Sequence, residues 1–201
     1  MKNSVIISIC FVLGIFAGKY NLLPLFIIKS QISLTVLYCL VFFVGISIGS
    51  NPNHFQVLRK SPVRILLVPG ATAVGTLIGS ALMSFFIKDY GVIETTSAGA
   101  GFGYYSLSCF QLTELHSEEL GITALLANMS REIITLIFAP LMARYFGPLG
   151  VISGGGATSM DTTLPVITEY AGKDFSLISV FHGVVLTVAV PAVINFLFIF
   201  Y

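Results

Sequence analysis

Long apolar stretches alternate with short polar ones along this chain. About 20 apolar residues are needed to cross a bilayer as a helix. Five stretches reach that length, at residues 5–23, 32–49, 63–87, 120–145 and 175–201. The pattern predicts an all-α polytopic membrane protein with about five transmembrane helices.

Two further stretches, 94–115 and 147–170, are moderately apolar but interrupted by glycine. Backbone that is not helical is tolerated at membrane depth only where protein or a water-filled cavity covers it. We therefore expect two Gly-rich discontinuous or re-entrant helical segments. On this interpretation residues 1–201 form a single transmembrane domain. Residues 1–90 are a three-helix unit, and residues 91–201 hold two broken segments, each followed by a transmembrane helix.

A weak internal repeat relates the two broken segments at an offset of 55 residues, where Gly101 matches Gly156 and residues 112–114 match 167–169. If each segment enters and leaves on one side, each unit crosses the membrane once and the two units are inverted. Inverted repeats with discontinuous helices are a recurring transporter plan. So few matches also arise by chance, and that alternative stays open.

Composition agrees with a membrane protein, since 56% of the residues are hydrophobic and only 9% are charged. A soluble domain carries roughly 25% charged residues. The net charge of +1 and the lack of a basic tract give no reason to expect nucleic acid. The three cysteines share no metal-ligand spacing, so we predict no metal and no cofactor. Motifs of hydrolases, metalloproteases and nucleotide-binding enzymes are absent from the sequence, which argues against an enzyme.

The basic residues favour one orientation, because cytoplasmic loops carry an excess of Lys and Arg. Five crossings from a cytoplasmic N-terminus to a periplasmic C-terminus place six basic residues inside and three outside. The inside set is Lys2, Arg59, Lys60, Arg64, Arg144 and Lys173, and the outside set is Lys19, Lys29 and Lys88.

Two carboxylates, Glu132 and Asp161, lie within stretches that otherwise read as membrane-buried. An ionised carboxylate is costly in hydrocarbon, so such groups usually mark an ion or substrate path. Either acid could bind a proton, Na⁺ or a substrate ammonium group, and exchange of a proton for a cation is the basis of antiport. For Glu132 the alternative is a structural ion pair with another helix.

Three neighbouring polar residues extend this candidate site. Asn128 precedes Glu132 by one turn and could hydrogen-bond it. Arg131 points about 100° away from Glu132 on a helix, so the two do not share a face; the alternative to a functional Arg131 is a structural ion pair with other helices. His182 could relay protons or form an interhelical contact. His116 falls in a predicted loop, where we expect it in solvent.

The two breaks supply the remaining candidates. Interrupting a helix exposes amide groups at one half-helix end, which attract carboxylates, and carbonyls at the other, which attract cations. The alternative is that small residues allow close helix packing. The candidate substrate- or ion-binding residues at the breaks are Gly101, Gly103, Tyr104, Ser106, Ser108, Gly156, Thr158, Ser159, Thr162 and Thr163.

Several of these runs resemble the lysine exporter LysO family of bacterial inner-membrane proteins. They are residues 44–49, 101–108, Arg131-Glu132, 156–166 and His182-Gly183, in colinear order. The resemblance implies export of L-lysine, and of lysine analogues, by proton antiport across the inner membrane. It also implies that an intramembrane acidic pair is essential, and by motif this pair is Glu132 and Asp161.

The chain departs from the family in one respect. Full-length members carry an additional N-terminal part of three membrane segments, so this chain resembles their C-terminal two-thirds. We therefore expect a separate small three-helix membrane protein, or a second copy of this chain, as partner. The alternative functions are a cation/proton antiporter, a carrier of another small solute, and a non-transporting membrane subunit of a two-chain complex.

Overall fold

The computed structural model describes residues 62–87, 89–199 and 201, together with isolated positions 9, 13, 16, 17, 19, 20 and 46. The predicted helices at 5–23 and 32–49 therefore lie outside the described residues, apart from those single positions. The rest of the description is helical, and no strand occurs in it.

Six α-helices and two short 3₁₀ helices make up the described part of the chain. They are α1 (Pro62–Met83), α2 (Val92–Gly99), α3 (Tyr105–Leu115), α4 (Glu118–Gly155), a 3₁₀ helix (Gly156–Met160), α5 (Leu164–Ala171), a 3₁₀ helix (Lys173–Phe175) and α6 (Ser176–Phe198). Within this part, three stretches are long and apolar enough to cross a membrane: Ile65–Met83, Glu118–Met160 and Lys173–Phe198. They coincide with three of the five predicted spans.

Helix α4 is interrupted at Gly147, whose φ of 74° and ψ of −176° are not helical. Pro148 follows directly, and proline suits the first position of a helix because its missing N–H would have no partner there. The interruption divides α4 into a long helix, 118–146, and a short one, 148–155. It falls where the sequence pattern separates the fourth span from the second broken segment.

Residues 92–115 form the first hairpin, in which residues 100–104 separate α2 from α3. The Glu94 carboxylate, in the first turn of α2, lies 2.9 Å from the His116 imidazole, which follows α3. Tyr201, beyond the end of α6, donates to Glu94 at 3.3 Å and stacks edge-on against the His116 ring. Both ends of this segment therefore meet at one end of the protein. His116 lies in the loop after α3 and is an exposed residue, as expected, although its imidazole contacts Glu94 and its side chain is only 23% exposed.

Residues 148–171 form the second hairpin, which turns through the 3₁₀ helix at 156–160. Its arms pack together through a buried apolar cluster that includes Ile152 and Ile167. The Thr168 and Ser176 hydroxyls are 2.9 Å apart and connect the end of α5 to the start of α6. Because α6 runs from there towards Tyr201, the second hairpin begins and ends opposite to the first.

The turns of the two hairpins meet in the middle of the protein. The amide of Ala157 donates to the carbonyl oxygen of Phe102 at 2.7 Å. Gly156, with a φ of 62°, lies so close that a Cβ there would be 2.0 Å from the same oxygen. Gly103, with a φ of 101°, would place a Cβ 3.1 Å from the Gly155 oxygen. Glycine is required here both for backbone conformation and for close approach.

Each hairpin is surrounded by its own buried apolar cluster. The first contains Phe102, Leu112, Leu120, Ala124, Leu186, Val190 and Ile194, and the second contains Ile65, Val151, Ile152, Val166, Ile167 and Ile178. Helix α1 exposes Leu66, Leu67, Val74 and Ile78 on its outer face, as a helix in contact with lipid does. The polar side chains described below lie between the two clusters.

If the ends of the first hairpin meet, cysteines placed at Glu94 and His116 should be joined by a short thiol crosslinker. In a background with Cys10, Cys39 and Cys109 replaced by serine, we expect intramolecular crosslinking of Glu94→Cys with His116→Cys, detected by mass spectrometry. The pair Glu94→Cys with Asp174→Cys is the control, because α6, which is about 34 Å long, separates those positions. Equal crosslinking of both pairs would contradict the hairpin.

The contact between the turns predicts that Gly156→Ala destabilises the protein. A methyl group 2.0 Å from the Phe102 oxygen forces the turns apart, at a cost of about 1–3 kcal/mol beyond backbone strain. Gly147→Ala is the matched control, since its φ is also positive but nothing lies within 4 Å of the new Cβ. The chain has no tryptophan, so unfolding in detergent is followed with a thiol-reactive dye. Equal loss in both variants would contradict the tight contact.

Candidate functional site

The hairpin turns, the middle of α4 and polar positions of α1 and α6 converge between the two apolar clusters. Three long side chains connect these elements, namely Asn128 and Arg131 from α4 and His182 from α6. Asn128 and His182 are buried and Arg131 is partly buried. The two acids predicted from sequence lie beside them.

Asn128 fastens the first hairpin to α4. Its amide oxygen accepts from the Gly103 amide at 2.7 Å, and its amide nitrogen donates to the Ala98 and Ala124 carbonyls, both at 2.8 Å. Gly101 packs directly against this amide, where a Cβ would lie 2.5 Å from the nitrogen. The predicted hydrogen bond from Asn128 to Glu132 is wrong, because the amide nitrogen already donates to two backbone carbonyls, that of Ala98 at the end of α2 and that of Ala124 one turn back in α4.

Arg131 fastens the second hairpin to α4 and α1. Its Nε donates to the Gly154 carbonyl at 2.9 Å and one terminal nitrogen to the Ser153 carbonyl at 2.7 Å. The other terminal nitrogen donates to the Thr76 hydroxyl at 3.1 Å. These acceptors are uncharged oxygens. Arg131 thus makes structural contacts with other segments, but the alternative of a structural ion pair is not what the structure shows, since none of the three partners is a carboxylate.

His182 is fully buried and joins α6 to α1 and to the second turn. Its Nδ1 is 3.0 Å from the Ser159 hydroxyl, and its Nε2 is 3.0 Å from the Thr72 hydroxyl. Ser159 also donates to the Ser179 carbonyl at 2.9 Å. The neighbouring Gly183 is needed for this approach, since a Cβ there would lie 2.7 Å from the Ala157 oxygen. These contacts agree with the interhelical alternative for His182.

The two acids are not among the hydrogen-bond partners of Arg131 in the described part of the chain, and Glu132 points about 100° away from it on α4. The Asp161 carboxylate accepts from the Thr162 amide at 2.5 Å and from its hydroxyl at 3.4 Å. Glu132 lies near the Thr162 side chain and interacts electrostatically with Asp161. Both carboxylates interact with the Tyr105 side chain at the start of α3. The structure thus brings together the acidic pair that the sequence singled out, and both acids are half-buried.

Other predicted residues make contacts within their own segments or lie away from the acids. Ser108 and Thr158 donate to carbonyls of their own turns, at 3.0 Å and 2.8 Å, and Thr163 is buried 3.4 Å from Thr158. Tyr104 packs against the first apolar cluster rather than beside the acids. Ser106 is exposed on α3 and is not brought to this cluster.

Four polar residues of the site escaped the sequence interpretation: Thr72, Thr76, Tyr105 and Ser153. A usable signal existed for α1, where hydroxyl residues at 72, 76 and 80 recur every four positions and so share one helix face. That face meets His182, Arg131 and the first hairpin in turn. For Tyr105 the sequence offered no indication of a place in the site beyond its position next to Tyr104.

The arrangement suits the binding of a small cation. Two half-buried carboxylates, the Thr162 hydroxyl and a phenol offer oxygen ligands to a proton, a metal cation or an ammonium group. Among the described residues, no group of three or more His, Cys, Asp or Glu side chains is placed to hold a metal ion. Asp161 and Glu132 each keep carboxylate lone pairs without a protein donor, so a cation could bind without displacing a structural contact.

Comparison with known proteins places this chemistry in a family. The family model described as "Lysine exporter LysO" matches residues 8–198. The lysine exporter LysO of Escherichia coli is 35% identical over 164 residues, which cover 80% of this chain and 52% of the relative. A putative lysine exporter of Haemophilus influenzae is 31% identical over 166 residues, which cover 82% of this chain and 83% of the relative. No solved structure matches the chain.

Removal of the Asn128 side chain should destabilise the protein without touching the acids. In Asn128→Ala the Gly103 amide and the Ala98 carbonyl lose their partners in the interior, at about 1–3 kcal/mol for each group. We expect a clearly lower unfolding midpoint in detergent. Ser130→Ala, an exposed position on the same helix, should leave the midpoint unchanged. Equal midpoints in the two variants would show that Asn128 does not hold the hairpin.

Proposed function

Because this chain belongs to the lysine exporter LysO family, we propose that it works as a secondary transporter that exports L-lysine, and lysine analogues, in exchange for protons. The family is one of transporters, and its apolar helices indicate an inner-membrane protein. The chain spans about half the length of the E. coli relative. One observation carries the proposal: the half-buried carboxylates of Glu132 and Asp161 lie near each other and near Thr162, beside the meeting point of two broken helices.

The exchange follows from the electrostatics of the acid pair. In the proposed exchange the acid pair holds a proton when no cation is bound, because an ionised carboxylate is costly away from water. An arriving ammonium group supplies the compensating positive charge, and the proton then leaves. Lysine and proton are therefore bound alternately at one place, which couples their movements in opposite directions. An anionic cargo would have to bind against both acids, and the site disfavours it.

The broken helices offer a complementary position for the lysine carboxylate. Helices α3 and α5 both begin at the turns. At α5 the Leu164 amide already donates to the Asp161 carbonyl and Pro165 has no N–H, whereas the first turn of α3 is not capped by the side chain of its N-cap residue, Tyr104. Free amides at a helix start attract a carboxylate. In the proposed pose, the lysine carboxylate lies at these helix starts and its ammonium groups lie at Glu132 and Asp161. A structure with lysine bound elsewhere would remove this pose.

The same proposal includes a topology in which the two hairpins are re-entrant from opposite sides of the membrane. The Glu94–His116 contact at one end and the Thr168–Ser176 contact at the other support it. With the N-terminus cytoplasmic and the C-terminus periplasmic, the first hairpin enters from the periplasm and the second from the cytoplasm. Substrate would then reach the acids alternately past one hairpin or the other.

The partner expected from the sequence stays a prediction. A separate three-helix membrane protein, or a second copy of this chain, would complete the transporter. Lysine transport by the chain alone, as a monomer reconstituted in liposomes, would contradict it.

Substitution of either acid tests the exchange. In proteoliposomes we expect Asp161→Asn and Glu132→Gln each to reduce lysine flux about 100-fold, equivalent to about 3 kcal/mol, together with the lysine-dependent proton movement. Labelled lysine and a pH-sensitive dye measure the two fluxes. Glu114→Gln, which neutralises an exposed carboxylate at the end of α3, is the control and should retain both.

Three other results would identify a different function. Proton movement driven by Na⁺ or K⁺ but not by lysine would indicate a cation/proton antiporter. Flux of another solute alone would indicate a different carrier. No flux in the unaltered chain, with or without its partner, would indicate a non-transporting subunit.

A further inference from the structure

The second hairpin contains a helix end in the middle of the protein. The short helix 148–155 stops at Gly156, where the chain enters the 3₁₀ turn. An α-helix leaves its last four carbonyl oxygens without helical partners. At membrane depth water cannot compensate for them, so each oxygen requires a partner from the protein or from a bound ion.

All four oxygens of this helix end have a partner. The Ile152 carbonyl accepts from the Gly156 amide, and the Gly155 carbonyl accepts from the Thr158 hydroxyl at 2.8 Å. The two between them, on Ser153 and Gly154, accept from the Arg131 guanidinium. One charged side chain therefore completes half of the helix end.

The charge of Arg131 is as relevant as its hydrogen bonds. The C-terminal end of a helix carries a partial negative charge, and a cation there is stabilising. In discontinuous-helix transporters, such ends and their unwound carbonyls coordinate the coupling cation. Here the guanidinium fills that position. It is also packed tightly, because a Cβ on Gly156 would lie 3.2 Å from its central carbon.

We infer that Arg131 is a resident cation at this half-helix end. It is a positioning residue that holds the second hairpin and denies the helix end to mobile cations, so that the transported cation binds only at Glu132 and Asp161. This inference refines the proposed function, because it replaces the prediction that Arg131 binds substrate or ion. The planar fork of arginine reaches two successive carbonyls and Thr76 together, which a lysine ammonium on its flexible stem does not.

Chemical rescue tests the resident cation without any transport measurement. We expect Arg131→Ala, purified in detergent, to unfold at a lower temperature than the unaltered protein. Millimolar methylguanidinium should restore part of the loss, since it can occupy the vacated position, whereas equal methylammonium or Na⁺ should not. Arg144→Ala removes an exposed arginine from the same helix and should show neither effect. An unchanged midpoint in Arg131→Ala, or equal rescue by Na⁺, would overturn the inference.

Two conservative variants separate charge from geometry and serve if Arg131→Ala does not fold. Arg131→Gln retains donors without charge, and Arg131→Lys retains charge without the fork. We expect both to have midpoints below that of the unaltered protein. An unaltered midpoint in Arg131→Lys would show that the fork is dispensable, and one in Arg131→Gln that the charge is; either result overturns the inference.

Transport measurements then distinguish a positioning residue from a ligand of the lysine carboxylate. For Arg131→Lys we expect a maximum rate lower by about tenfold or more, equally for lysine and for cadaverine, its decarboxylated analogue, if both are transported. A raised KM for lysine with unchanged cadaverine transport would instead make Arg131 a substrate ligand. If the unaltered chain transports neither, the proposed function fails while the rescue experiment still stands.

Discussion

The need to satisfy broken helix ends away from water governs the centre of this protein. Interrupted helices at membrane depth leave amides and carbonyls that only the protein can pair. The two hairpins partly satisfy each other, through the Phe102 carbonyl and the Ala157 amide. Asn128 completes the first hairpin and Arg131 the second. Because these contacts consume the polar groups of the turns, the carboxylates of Glu132 and Asp161 keep free lone pairs beside them.

The position of the charges on α4 keeps the acids available. Arg131 and Glu132 are consecutive, and consecutive helical residues point about 100° apart. Arg131 points to Thr76 on α1 and to the helix end at Ser153 in the second hairpin. Glu132 points instead to Thr162 and Asp161, in the turn of the same hairpin. A salt bridge between neighbours would have neutralised both. Because the two side chains point apart, Arg131 forms structural hydrogen bonds while the Glu132 carboxylate stays available for the proposed cation exchange.

The apolar clusters define where a passage could open. One cluster surrounds the first hairpin and the other surrounds the second, with the polar side chains between them. A transported cation would have to part the packing around one hairpin at a time. The internal repeat, which relates the two turns at Gly101 and Gly156, is in keeping with such an arrangement and stays a prediction.

The sequence by itself was sufficient for features that are local along the chain. Apolar length located the spans at 63–87, 120–145 and 175–201, since a helix crossing lipid must be apolar along about 20 residues. Glycine clusters located the two breaks, and carboxylates inside apolar stretches located the acids. Each of these conclusions depends on a property that neighbouring residues possess together.

Only the tertiary structure decided which polar groups pair. Asn128 was expected to bond Glu132 one turn away but bonds the first hairpin, and the exposed His116 has a contact with Glu94 that the sequence did not indicate. The role of the hydroxyl residues on α1 is likewise visible only in the structure, where they hydrogen-bond to His182 and Arg131. Hydrogen-bond partners depend on the rotation and depth of helices far apart in sequence. From the sequence alone, each polar side chain had several chemically equivalent hydrogen-bond partners. The packing of the hairpin turns determined which of these partners it bonds.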